Sequence, residues 1–446
     1  MLAFSFLEHG INMNSLKELK SGKLVGATRL QLVEELTTFP EEIFSLADTL
    51  EVLDLSNNNL STLPDEFACL TNLKRVFLSF NQFKHIPKVL AKCPALIMVA
   101  FKGNQISEFA LNSLPKNIEW LILTDNTLSE LPEDFGNYTQ LKKLALAGNQ
   151  LKQLPSSMAQ CKNLELVRLS ANNLTHVDDW LFELPKLTWL AFAGNDFNKA
   201  QCLTKSCLEN KSLNDYTLSH VIGQGASGVI HLAQAIESAV AIKLFKGAIT
   251  SDGYPLDEVN CCLQAGDHAN LIKVLAYIEQ SDQLGLVMEL IDKSFANLGL
   301  PPSLETCTRD TFNDDCHYST HAILKIAQQM VSTLHHLHIC KVSHGDVYAH
   351  NTMINKDADV LFGDFGAATN LAMLSDYQQK QIELIEVRAL GCLIEDLLGT
   401  VTGDDKQSEL FVKMSNMAKC AMQPTLNQRP TLNQRPTFTE LLAELK

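Results

Sequence analysis

The strongest constraint on this chain is a ladder of asparagines, Asn58, Asn81, Asn104, Asn126, Asn149, Asn172 and Asn195, separated by 23, 23, 22, 23, 23 and 23 residues. A fixed period of about 20–50 residues marks a chain built by stacking one supersecondary unit on the next. Around each asparagine one frame recurs: Leu50, Leu53, Leu55, Asn58, Leu60, Leu63 and Pro64 in one unit, Leu141, Leu144, Leu146, Asn149, Leu151, Leu154 and Pro155 in another. The LxxLxL core has the period of a short strand with one face buried, and the asparagine stands where the chain must turn out of it. Its amide can bond backbone groups of neighbouring turns. Left unpaired in the interior it would cost about 1–3 kcal/mol, so the ladder is a structural device with no catalytic role. Residues 27–40 keep the leucines but are one residue short and place Glu where the asparagine belongs, which suits a capping repeat.

The frame resembles the short leucine-rich repeat, LxxLxLxxNxLxxLP, over about residues 24–205. That resemblance implies an α/β solenoid whose non-leucine strand positions face a concave surface. Trp120, Trp189, Phe77 and Phe80 stand at such positions, and as exposed rings they would form a docking face for a protein partner. The plainer alternative is that they pack on one another along the ladder.

With 446 residues the chain has room for two or three domains at roughly 150 residues each. Its balance of 36 Lys plus Arg against 51 Asp plus Glu, a net charge of -15, opposes non-specific attraction to nucleic acid or anionic lipid. A phosphate ligand would therefore need a metal ion or local donors. Twelve cysteines with no CxxC pair, only Cys261 and Cys262 being adjacent, point to reduced thiols in a cytosol. The first residues lack a basic start and a small-residue cleavage site, and Met13 is an alternative start. No run reaches the 18 or so apolar residues of a membrane span, so a soluble, cytoplasmic protein is expected.

Beyond the last repeat the period breaks. Gly223, Gly225, Gly228 and Val229 lie between two apolar runs, where a glycine-lined hairpin could bring backbone amides onto phosphate oxygens. A dinucleotide-binding turn would instead require a helix after the third glycine, whereas the residues that follow, VIHLAQ, read as a strand. AVAIK at 239–243 is an apolar strand ending in Lys243, and Glu258 follows fifteen residues later in a helical pattern. LGLVMEL at 284–290, LHHLHICKVSHGDVYAHN at 334–351 and LFGDFGAA at 361–368 complete the series.

These segments resemble, in order and spacing, the eukaryotic-type protein kinases over about residues 215–446, with TFTELL near the end similar to their closing helix. The resemblance implies an α+β bilobal domain that binds ATP and Mg2+. It assigns Ile222, Gly223, Gly225, Gly228, Val229 and Ala241 to the nucleotide, Lys243 with Glu258 to its phosphates, and Met288 and Glu289 to the gatekeeper and hinge. Asp346 becomes the catalytic base, while Asn351 and Asp364 become the metal ligands. His335, His336, His338 and His344 lie close together, but two fall on scaffold positions of the resemblance, and a structural role is expected for the group.

Four departures from the family pattern bear on activity. Gly345 replaces the Arg before the catalytic Asp, which implies independence from activation-loop phosphorylation. Tyr348 and His350 occupy positions where the family supplies a permanent cation to the transferring phosphoryl group, so slow turnover is expected. Only 22 residues separate Asp364 from Glu386, which stands for a family aspartate, and no APE motif lies between. The repeats would then position protein substrates. Finally, TLNQRP occurs twice in tandem at 425–436, with either Arg429 or Arg435 expected to be buried against a carboxylate.

The sequence thus points to a leucine-rich-repeat solenoid at 24–205 followed by a protein-kinase-like domain at 215–446. Its expected activity is transfer of the γ-phosphate of ATP, with serine or threonine favoured because the tyrosine-kinase AAR pattern is absent. The alternatives are a pseudokinase scaffold and a small-molecule phosphotransferase, the latter suggested by the HGD form. The expected partner is a protein on the concave face, with no nucleic acid and no membrane span.

Overall fold

The computed structural model describes residues 14–110, 112–199, 203, 208–225, 227–236, 238–247, 249–250, 252–280, 283–424 and 435–445. One compact unit reaches to Val177 and the other begins at Asp178. Arg429 and most of the duplicated TLNQRP segment lie outside the described residues.

The first unit opens with a short helix, α1 (Leu16–Lys20), fixed by a capping box between Ser15 and Glu18. Strands β1 (Arg29–Gln31), β2 (Val52–Asp54), β3 (Arg75–Phe77), β4 (Met98–Ala100), β5 (Trp120–Ile122), β6 (Lys143–Ala145) and β7 (Leu166–Arg168) follow, one per repeat. They pair in parallel and in sequence order, with Leu53, Val76, Val99, Leu121, Leu144 and Val167 in register. These central residues are fully buried, as are Leu55, Leu78, Leu123, Leu146 and Leu169, so the leucine frame is the core.

The asparagine ladder closes each turn against the one before it. Asn81 donates to Leu55 O at 2.9 Å and to Leu78 O at 3.2 Å, and accepts from Leu60 N at 2.9 Å. Asn149 does the same with Leu123 O, Leu146 O and Leu128 N. A 23-residue period recurs because each amide spans two consecutive turns, and a slipped turn would strand buried polar groups.

The second unit begins with the last repeat, which contains α2 (Asp179–Phe182) and β8 (Trp189–Ala191). A five-stranded antiparallel sheet follows, built from β9 (Thr217–Gln224), β10 (Gly228–Gln234), β11 (Ala239–Phe245), β12 (Val274–Gln280) and β13 (Gln283–Glu289) in the order β12-β13-β11-β10-β9. Helix α3 (Pro255–Ala265) starts on a proline, favourable at a helix N-terminus, and lies between β11 and β12 in the chain. The larger lobe is helical: α4 (Thr320–Ile339), α5 (Asp376–Gly399), α6 (Glu409–Ala421) and α7 (Phe438–Glu444). Their N-caps Ser319, Ser375, Ser408 and Thr437 each accept a bond from the first turn. No helix among the described residues is long and apolar enough to cross a membrane.

Of the aromatics expected to be exposed on the repeats, only Phe80 is, at 48%. Phe77, Trp120 and Trp189 are buried. Trp120 lies beneath the ammonium of Lys143, 4.3 Å from the ring centroid, a cation–π contact between neighbouring strands. A large ring on a tightly stacked ladder covers its neighbour's side chain instead of projecting into solvent.

Candidate active site

The glycine-lined segment forms a hairpin in the small lobe. β9 and β10 run antiparallel, Gly225 N donates to Gly228 O at 2.9 Å at the tip, and no helix follows the third glycine. Gly228 is required by space: a Cβ there would lie 2.5 Å from Leu244 O on β11. Ile222 is exposed at the end of β9, and Gly223 sits opposite Ile230.

Strand register shows which side chains share a face, because directly opposite residues point the same way. Lys243 is opposite Ile230 and Leu286, and Ala241 is opposite Met288. Ala241, Lys243, Ile230 and Met288 therefore line one face. Val229 is opposite Leu244 and belongs to the other face, where Val240, Ile242, Ile278 and Val287 form a closed apolar core. The assignment of Val229 to the nucleotide is corrected: it directly follows Gly228, and the residue one further on, Ile230, takes that face. Glu289 is exposed at the end of β13, its N–H donating to Lys273 O at 2.9 Å.

Lys243 and Glu258 form a buried ion pair, and Asp364 Oδ1 lies 3.8 Å from the same ammonium. Burial opposes the charge on Lys243, but the two carboxylates outweigh it and hold the ammonium well above its ordinary range. Asp364 sits at φ +64, an uncommon backbone state for a non-glycine residue, with its Oδ1 accepting from Gly366 N at 3.4 Å.

The catalytic loop is held from several sides. Glu386 Oε1 accepts from Gly345 N at 2.7 Å and Oε2 is 2.5 Å from His338 Nε2, so this carboxylate ties the loop to α4. Burial works against ionisation of Glu386, yet His338 and the Gly345 amide keep its carboxyl below the ordinary range. Asn351 Nδ2 donates to Asp346 O and to Asp346 Oδ2, both at 2.9 Å, fixing the half-buried carboxylate. Asp310 accepts from Ala349 N and contacts His350 Nδ1 at 2.6 Å. The histidines serve separately: His344 bonds Gly363 O, His336 bonds Ala265 O and His335 meets Thr439.

The oxygen set fits a hard divalent cation. Asn351 Oδ1 is buried without a hydrogen-bond partner among the described residues, while its Nδ2 is spent on Asp346. An amide oxygen left this way, taken with the carboxylate of Asp364, is the donor chemistry that Mg2+ takes.

Three features here were invisible in sequence. Trp189 of the last repeat stacks on Tyr348, with ring centroids 4.6 Å apart and planes within 6°, and its Nε1–H donates to Val347 O at 3.1 Å. Gly345 has φ +71, and a Cβ there would lie 2.6 Å from Ala367 O and 2.7 Å from Leu190 O. The absence of Arg at this position thus has a steric cause. Arg435 is buried as expected of one duplicated arginine, but against carbonyls and not a carboxylate: it donates to Gln423 O, Leu384 O and Pro185 O. Burial, with Arg388 nearby, pushes its guanidinium down to about 9. The short segment after Asp364 leads directly into α5, whose N-terminal Tyr377 and Gln378 bond Glu183 and Asp179 of the last repeat.

Comparison with known proteins finds both regions of the chain. The protein kinase domain model matches residues 216–384, and the leucine rich repeat model matches residues 28–83 and 139–197. The chain is 24% identical over 165 residues to cyclin-dependent kinase 11.1 of Caenorhabditis elegans, covering 35% of this chain and 22% of the relative. It is 26% identical over 151 residues to CTD kinase subunit alpha of Schizosaccharomyces pombe, covering 33% and 23%. Against fibroblast growth factor receptor 1 of Xenopus laevis it is 25% identical over 178 residues, covering 36% and 22%. The matches span less than a quarter of the length of each of these relatives.

Proposed function

Starting from an N-terminal leucine-rich-repeat region fused to a C-terminal protein kinase domain, we propose that this chain transfers the γ-phosphate of ATP to serine or threonine of a protein that its repeats recruit. The observation that carries the reading is the buried Lys243–Glu258 pair beside Asp364, together with Asn351 orienting Asp346 while its own Oδ1 stays unpartnered among the described residues. Lys243 would hold the α- and β-phosphates, and Ile230, Ala241 and Met288 would line the adenine side. Asp346 would accept the proton of the attacking hydroxyl, a role typically worth about 10²–10⁴ in rate. Asn351 and Asp364 would hold Mg2+, which when bound neutralises charge on the transferring phosphate.

Serine or threonine rests on the missing AAR pattern, since the relatives include both a cyclin-dependent kinase and a growth factor receptor. A cytoplasmic setting is in keeping with free cysteines such as Cys69, Cys261, Cys262 and Cys420. A second reading, a nucleotide-binding scaffold without transfer, is favoured by one observation: at the two positions where the family supplies a cation, Tyr348 is stacked under Trp189 and His350 is engaged by Asp310. Transfer of labelled γ-phosphate from ATP with Mg2+, to the chain itself and to a generic basic protein, tests both. Label that falls at least about a hundredfold in Asp346→Asn supports the kinase. No transfer by the wild type, with ATP still raising its melting temperature, supports the scaffold.

A further inference from the structure

The last repeat differs from a docking platform in what it touches. Beyond the Trp189–Tyr348 stack, Phe192 N donates to Thr369 Oγ1 at 3.4 Å, and Arg388 of α5 donates to Lys186 O and Thr188 Oγ1. At the other end of the repeat, a Cβ on Gly194 would lie 2.5 Å from the Tyr254 ring and 2.6 Å from Asp257 Oδ2, and Lys199 Nζ lies 5.0 Å from the Tyr254 centroid. Tyr254 is the N-cap of α3, and α3 carries Glu258. One short stretch, residues 178–199, therefore grips both the loop that holds Asp346 and the helix that holds Glu258.

We propose that this terminal repeat is a working wall of the catalytic site, with Trp189 a positioning residue for the catalytic loop, a role that rests on the kinase reading above. The segment between Asp364 and α5 pairs with residues 342–343 just before the loop, and Gly345 removes the side chain that elsewhere could tie the loop to a phosphate. Stacking and backbone contact from the repeat supply the missing support. Trp189 acts through Tyr348 and Val347, two residues and one residue after Asp346. A loop mispositioned by about 1 Å can lose roughly a hundredfold in rate, so packing remote from the chemistry can govern turnover.

The test uses the full chain and the variants Trp189→Ala and Trp189→Phe. Hydrogen exchange at residues 345–351 is expected to quicken at least about tenfold in Trp189→Ala. With ATP and Mg2+, kcat should fall at least about tenfold while KM for ATP stays within about twofold, and Trp189→Phe, which keeps a stacked ring, should recover most of the loss. A folded Trp189→Ala with wild-type exchange and wild-type kcat overturns the proposal. Should Trp189→Ala fail to fold, Trp189→Leu fills the space without a ring, and wild-type kcat in that variant also overturns it. If the wild-type chain transfers no phosphate, the kinase reading fails and exchange alone decides: faster exchange at 345–351 sustains the positioning role, and unchanged exchange ends it.

Discussion

Trp120 and Trp189 hold the same place in their repeats, each the first residue of its strand, and both are buried, yet they serve different structures. Trp120 is covered by Lys143 of the next repeat and belongs to the ladder. Trp189 stacks on Tyr348 and belongs to the catalytic loop. A repeat position fixes where a ring starts but not what closes over it. The difference marks where a ring of the repeat ladder packs on the kinase-like domain instead of on its neighbouring strand.

The largest effect that would sharpen this contrast is on chemistry itself. Asp346→Asn should reduce phosphoryl transfer by about 10²–10⁴, while a substitution in the repeats before Asp178 should leave that step intact, as read by single-turnover label transfer. Next comes Trp120→Ala, expected to destabilise the first unit by about 3–5 kcal/mol in urea unfolding without loosening residues 345–351 in hydrogen exchange. Asn149→Ala should cost about 1–3 kcal/mol for each buried group it leaves unpaired among Leu123 O, Leu146 O and Leu128 N, again confined to the array.

The smallest effect is a pH dependence in the catalytic unit. Glu386 is held below its ordinary value of 4.5 in the fold, so its contribution is fully present above that value and is lost as pH falls through the lowered one. Glu386→Gln should therefore be less stable than wild type at pH 7, with the gap narrowing below about pH 4.5 in thermal melts. A gap that widens on acidification would contradict the bracing assigned to Glu386.

Much of the molecule was legible in sequence because its signals are local. The ladder follows from spacing, and each asparagine bonds the turn beside it. Lys243, Glu258, Asp346, Asn351 and Asp364 stand in segments whose order and separation carry the kinase resemblance, and the structure brings Lys243, Glu258 and Asp364 together, and Asp346 with Asn351. What escaped depends on register or on long-range packing. Val229 and Ile230 are adjacent apolar residues, and only the pairing of β10 with β11 shows which faces Lys243. Gly345 read as a lost arginine, whereas carbonyls of Leu190 and Ala367 exclude any side chain there. Trp189 read as an open docking ring because nothing in its own repeat distinguishes it from Trp120, and its partner lies 158 residues away.

The most direct test of the contrast is single-turnover transfer of labelled γ-phosphate by Trp189→Ala beside Trp120→Ala, each shown folded by the same melt. Trp120→Ala should transfer within about twofold of wild type and Trp189→Ala at least about tenfold more slowly. Equal rates in the two variants would contradict a catalytic wall built from the last repeat.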